Sequence, residues 1–215
     1  ILSDPSDYLK IKSEIKPYIK RRTKKEVATE LPDLIEQEII LDLTAQQNSD
    51  YSTIYDNRKN YESMFEVLNE LKQVCNFSKK NKTSSKMEML ELIVDDVYEN
   101  NGKILVFSQY VQTLLEIQKN LKHSGVYLFH GGLDKNKKNQ TIEEFKNTEQ
   151  PAVLLVSLKA GSVGLNLQVA STVVLFDRWW NPAVENQAIG RAHRIGSTEP
   201  VTAYKFLIKE SIEQK

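Results

Sequence analysis

Gln187, Arg191 and Arg194 stand at i, i+4 and i+7 in a stretch that reads as helix, so all three project from one face toward a common ligand. Two guanidiniums and an amide in that array suit a polyphosphate. The planar arginine fork matches phosphate oxygens, and a second arginine offsets the charge that develops as a terminal phosphoryl group is transferred. The same spacing also describes the solvated face of a surface helix. A second set lies in SLKAGSVGLNLQ (157–168), where Gly161 and Gly164 follow an apolar run and let the chain turn tightly with its N–H groups close to a phosphate. Most such glycine pairs are plain turns. His130, Gly131 and Gly132 also follow an apolar run. In FDRWWNP (176–182), Asp177 falls at a strand's carboxyl end, where open α/β sheets bind ligands. Of the adjacent Trp179 and Trp180, one is expected in the core and one exposed to stack on a base; the alternative is that both pack under the loop.

Other chemistries lack their residues. No G-x-x-x-x-G-K-[ST] and no acidic Walker B strand occur, so the chain by itself offers neither a phosphate cradle nor a Mg²⁺ ligand set. G-x-G-x-x-G and G-x-S-x-G are missing too. His123, His130 and His193 have no Cys or carboxylate partners at ligand spacing, which excludes a metal role. The single Cys75 excludes an internal disulfide and suits a reducing, intracellular setting. No apolar run approaches the ~18 residues of a membrane span. Lys+Arg 29 balance Asp+Glu 29, so a globally basic field is excluded and any nucleic-acid surface must be local. One local patch is evident: residues 10–25 carry eight Lys/Arg against Glu14 alone, a net of about +7 (eight minus one). That segment reads as a solvated linker helix, as a phosphate contact, or as a brake docking on the acidic helix with Glu91, Asp95, Asp96 and Glu99. With no initial Met and an end at Glu213-Gln214-Lys215, in what reads as an opening helix, the chain is expected to be a piece of a longer protein.

The elements that must position these residues follow from punctuation. Short β-branched runs predict strands at 104–107, 126–129, 153–157, 172–176 and 201–207, with helices at 86–100, 110–123, 134–146 and 182–195 between them. The alternation predicts an α/β fold with a parallel sheet flanked by helices. Helix 182–195 is read with Asn181 as N-cap, Pro182 at its first position and Gly196 past its end. Residues 8–18 look helical, 37–43 look like a short strand and 45–76 like one or two helices. The polar run SKKNKTSSK (78–86) then separates a mainly helical N-terminal extension, 1–83, from a lobe at 84–215.

Read in order, the pieces resemble the second, RecA-like lobe of the Swi/Snf-type ATPases of helicase superfamily 2. KILVFSQY (103–110) resembles motif IV, and HGGLDKNKKNQTIEEF (130–145) the element after it. LLVSLKAGSVGLNLQVASTVVLFDRWWNP (154–182) resembles motif V with its extension, and ENQAIGRAHRIG (185–196) motif VI. YIKRRTKKEVATELP (18–32), LDLTAQQ (41–47) and LKQVCN (71–76) resemble the linker between lobes. The resemblance implies that Arg191 and Arg194 are arginine fingers reaching ATP across an interlobe cleft, with Gln187 beside them and Gly164 and Asn166 on the nucleotide edge. It implies DNA-backbone contacts from Ser108, Gln109, Gly131, Gly132, Ser157, Lys159, Ala160 and Gly161, with Trp180 near the duplex. It further implies that ATP and Mg²⁺ are held mainly by an absent first lobe. The expected partners are double-stranded DNA, that first lobe and a DNA-bound protein complex, with no membrane. Five positions depart from the family pattern: Lys20, Lys138, Ser162, Ser171 and Ser197.

The expected function is therefore the second motor lobe of an ATP-dependent double-stranded DNA translocase or remodeller, inactive alone. The alternative is a non-catalytic DNA- or protein-binding module derived from such a lobe. A dinucleotide-dependent oxidoreductase, with 153–168 as its nucleotide turn, leaves both arginines unexplained.

Overall fold

The computed structural model describes Glu14 and residues 31–161, 164–194, 196–197 and 199–214. The chain divides into two compact units, 1–31 and 32–215. In the first, Glu14 is helical and exposed. The predicted helix at 8–18 and the basic patch at 10–25 otherwise lie outside the described residues, as do Lys20 and Ser162.

In the second unit, six parallel strands form one sheet in the order β1-β6-β5-β2-β4-β3. The strands are β1 Leu34–Leu41, β2 Lys103–Ser108, β3 Val126–Phe129, β4 Ala152–Ser157, β5 Thr172–Leu175 and β6 Val201–Ile208. Around them lie α1 Ala45–Asp56, α2 Met64–Asn76, α3 Ser85–Glu99, α4 Val111–Asn120, α5 Lys135–Asn147, the single turn α6 Leu158–Gly161 and α7 Pro182–Ile189. A parallel sheet covered on both faces needs apolar side chains on both, which is why all six residues of β4 are buried. The period of two divides the core. Leu105, Phe107, Leu154, Val156, Val173 and Leu175 meet Ile142 and Phe145 of α5 on one face. Ile104, Val106, Val153, Leu155 and Val174 meet Leu90 and Val94 of α3 and Leu114 and Ile117 of α4 on the other.

The predicted strands stand within about two residues of those observed, apart from the first, which runs 34–41 instead of 37–43. Its position carries more information: β1 pairs along its whole length with β6, so residues 34–41 belong to the sheet. Helices α1 and α2 share a small core of Ile54, Val67, Leu71 and Val74, with Ile212 from the end of the chain against it. The boundary drawn at 83 therefore crosses a continuous body, and the two units part at 31/32. Within the polar run 78–86, residues 79–83 are exposed, while Ser78, Ser84 and Lys86 are buried.

Helix α7 is the main correction. Asn181 caps it as expected, its side chain accepting from the Ala183 amide at 3.0 Å, with Pro182 at the first position. The helix nevertheless ends at Ile189, with Gly190 as its C-cap, and residues 191–194 form turns.

Candidate nucleotide and nucleic-acid interface

The parallel sheet aligns all its carboxyl ends, and the expected DNA-side residues fall along that one edge. Ser108 and Gln109 end β2, Gly131 and Gly132 follow β3, Ser157 ends β4 with Lys159, Ala160 and Gly161 in α6, and Trp180 follows β5. Gly131, Gly132, Lys159 and Trp180 are exposed, whereas Ser108, Ser157 and Ala160 are buried.

At the outer end of the edge, Gly131, Lys159, Ala160 and Leu165 meet Lys135 and Lys138 of α5 around a cavity of about 820 Å³ with an apolar floor and a lysine rim. Asp134 starts α5 by accepting the Lys137 amide at 2.9 Å, and those backbone bonds hold its carboxyl below the usual carboxylate range. Lys138, where the family pattern has arginine, donates to the Gly131 carbonyl at 2.9 Å. His130 Nδ1 accepts the Gly132 amide at 3.2 Å, which places the proton of a neutral ring on Nε2.

At the inner end, the loop 177–180 is held at every residue. Asp177 is fully buried, so it is a structural knot and not the ligand-facing carboxylate expected at this position. It accepts from the Ser108 hydroxyl, from the Gln109 amide at 3.1 Å and from Asn76 Nδ2 at 3.1 Å. Burial pushes its carboxyl up, opposed by the charge of Lys86. Arg178 pairs with Glu185 at 3.0 Å and Glu38 at 2.6 Å, and the Trp179 amide donates to Glu185 at 2.9 Å. Lys72 donates to the Arg178 carbonyl at 2.8 Å and lies 3.8 Å from the centre of the Trp180 ring. Burial lowers the Lys72 ammonium below its ordinary value. The two tryptophans separate as one of the two readings requires: Trp179 packs on the core and Trp180 is 56% exposed.

The residues expected on the nucleotide side lie on α7, in the turns after it and in the loop after α6. Gln187 is exposed on α7, whereas Arg191 and Arg194 lie in the turns beyond it, so one helix face does not carry all three. Tertiary bonds fix those turns instead. The Leu167 amide donates to the Arg191 carbonyl at 3.0 Å, which brings the loop of Gly164 and Asn166 alongside. His193 Nε2 donates to the Pro32 carbonyl at 2.8 Å. Ser197, a departure from the family pattern, donates to the Ala192 carbonyl at 2.8 Å and accepts the Arg194 amide at 3.3 Å, so it closes the turn around the arginine. Arg194, Gly164 and Asn166 are exposed and Arg191 is half-buried.

Sequence reasoning missed Asn76, Lys72, Lys86, Glu185 and Glu213. Lys86 and Glu213 are 127 residues apart, Lys72 and Arg178 106, and Asn76 and Asp177 101, so no local spacing marks those pairs, whereas Glu185 meets Arg178 only seven residues away. Among the described residues no three His, Cys, Asp or Glu side chains come together to hold a metal ion, and no helix is long and apolar enough to cross a membrane.

Comparison with known proteins identifies the family and the fold. Residues 85–196 match the family described as the helicase conserved C-terminal domain. The chain is 36% identical over 214 residues to an uncharacterized ATP-dependent helicase of Mycoplasma pneumoniae, covering 93% of this chain and 21% of that protein. It is 35% identical over 226 residues to the Bacillus subtilis ATP-dependent helicase/translocase YwqA, covering 94% of this chain and 24% of that one. Among solved structures it is similar to the Sulfolobus solfataricus SWI2/SNF2 ATPase core domain, with TM-score 0.72, 30% identity, 99% of this chain and 48% of that one. The same core solved with double-stranded DNA gives TM-score 0.67 at 29% identity, covering 99% of this chain and 49% of that one.

Proposed function

The chain belongs to the helicase conserved C-terminal domain family, in its SWI2/SNF2 branch, and from that membership we propose that it is the second motor lobe of an ATP-dependent double-stranded DNA translocase. It spans only about a fifth to a quarter of the curated relatives' lengths, which leaves room for a first lobe that carries the phosphate cradle.

The observation that supports the reading is that one sheet domain carries both sets of expected residues, with α6 packed against α7. Gln187 lies on α7, Arg191 and Arg194 in the turns after it, and the Leu167–Arg191 bond ties the loop of Gly164 and Asn166 to those turns. Gly131, Gly132, Lys159 and Trp180 line the carboxyl edge of the sheet. Arginines brought to ATP by cleft closure neutralise charge on the transferring phosphoryl group, an effect worth 10³ to 10⁵ in kcat in phosphoryl-transfer enzymes. Closure would also move the edge of the sheet relative to the first lobe. Hydrolysis and the grip on DNA would then alternate, and alternation is translocation. Mg²⁺, which offsets charge on the phosphates, would be held mainly by the first lobe.

The test is ATP hydrolysis with and without duplex DNA, for this chain and for a protein joining it to its first lobe. Silence from the chain and DNA-stimulated turnover from the joined protein is the expected result. Turnover by the chain unaided would refute the half-site, and silence from both would favour a binding module.

A further inference from the structure

Beneath the Trp180 loop runs a buried polar chain that neither set of expected site residues contains. Lys86, Glu213, Asn76 and Asp177 have no exposed side-chain surface. Lys86 Nζ donates to Glu213 Oε1 at 2.7 Å and to Asn76 Oδ1 at 3.2 Å. Asn76 passes the contact on, its Nδ2 donating to Asp177 Oδ2 at 3.1 Å and to Thr113 Oγ1 at 3.2 Å. The other Glu213 oxygen accepts the Ile208 amide at 3.0 Å, which fastens the segment after β6 to the same centre.

A buried ion pair of this kind roughly breaks even in stability against apolar side chains of the same volume, because desolvation offsets the attraction. Its geometry is what an apolar replacement would lose. Both oxygens of Asp177 are committed, Oδ1 to the Gln109 amide and Oδ2 to Ser108 and Asn76. That carboxylate joins the ends of β2 and β5, and the orientation of Asn76 is set by Lys86. On the proposed function, the loop it holds is the one that meets the duplex. We propose that Asn76 and Lys86 are positioning residues that act through Asp177 to hold the Trp180 loop in its DNA-facing arrangement, with Glu213 anchoring the segment after β6 to the same relay.

Trp180 itself reports the outcome. In a Trp179→Phe background it is the only tryptophan of the chain, so acrylamide quenching without nucleic acid reads the loop directly, while a circular dichroism melt reads folding. Asn76→Ala leaves the ion pair in place but breaks the relay. Lys86→Met with Glu213→Leu replaces the pair by apolar groups and is expected to retain a cooperative melt. Both should quench Trp180 more strongly and weaken binding of a fluorescein-labelled duplex about tenfold, the loss of one buried hydrogen bond to a charged group. Unchanged quenching in either cooperatively folded variant overturns the proposal, because a purely structural role would shift the melt alone. If the unmodified chain binds no duplex, the DNA reading fails, and the quenching arm still decides the positioning role.

Discussion

The Leu167 amide and the Arg191 carbonyl, 3.0 Å apart, join the loop after the glycine turn to the turn that carries the candidate phosphate-facing arginines. Gly196 stands beside this joint in the left-handed region at φ +98°, and a Cβ there would meet Gln168 Nε2 at 3.1 Å. Gly196→Ala should therefore cost roughly 1–3 kcal/mol. A lower melting temperature together with slower ATP turnover at unchanged duplex affinity would show that the joint serves the nucleotide side.

Lys159 is exposed at the rim of the large cavity beside Gly131. Replacing one phosphate-contacting lysine should weaken binding evenly across sequences and reduce the salt slope by about 1. Lys159→Ala, titrated with duplex DNA at several salt concentrations, checks this; an unchanged slope would remove Lys159 from the contact surface.

Lys86 and Glu213 give a stability test. Removing one member of a buried pair strands a charge at a cost of about 3–5 kcal/mol, whereas replacing both with apolar groups is close to neutral. Chemical denaturation should thus find Lys86→Met far less stable than Lys86→Met with Glu213→Leu. Equal losses would mean that the two charges do not depend on each other.

The legible part of this molecule is the part written locally. Strands β2 to β6 announce themselves as short β-branched runs, and the parallel sheet follows from their alternation with helices. Asn181-Pro182 likewise marks a helix start from a few neighbouring residues. The end of α7 was misread because two glycines compete for it. Ending at Gly190 is decided by bonds from Arg191 to Leu167, His193 to Pro32 and Ser197 to Ala192, of which the first two are distant in sequence. Lys86 sits in a run of Lys, Asn and Ser that looks solvated by composition, and only the approach of Asn76 and Glu213 lets it be buried. Asp177 was found at the right strand end with the wrong role, since its partners Ser108 and Asn76 are 69 and 101 residues away.

Cys75 is fully buried, and burial pushes its thiol from an ordinary 9.0 up to about 12. The native protein should resist a thiol reagent at pH 8 and react once unfolded. A group whose folded pKa is raised adds stability below the unfolded value and loses it as pH climbs toward the folded one. Cys75→Ala should accordingly flatten the fall in stability between about pH 9 and 12, and an unchanged profile would contradict the assignment.

The central claim is that Arg191 and Arg194 serve a nucleotide while residues at the carboxyl edge of the sheet hold DNA. Its most direct test is steady-state ATP hydrolysis at saturating duplex DNA for Arg191→Ala and Arg194→Ala in the protein joined to its first lobe, with duplex affinity measured on the same samples. The account predicts that each variant loses at least about 10³ in kcat and keeps its affinity for DNA. Substantial turnover in both variants, or loss of DNA binding in step with activity, would contradict it.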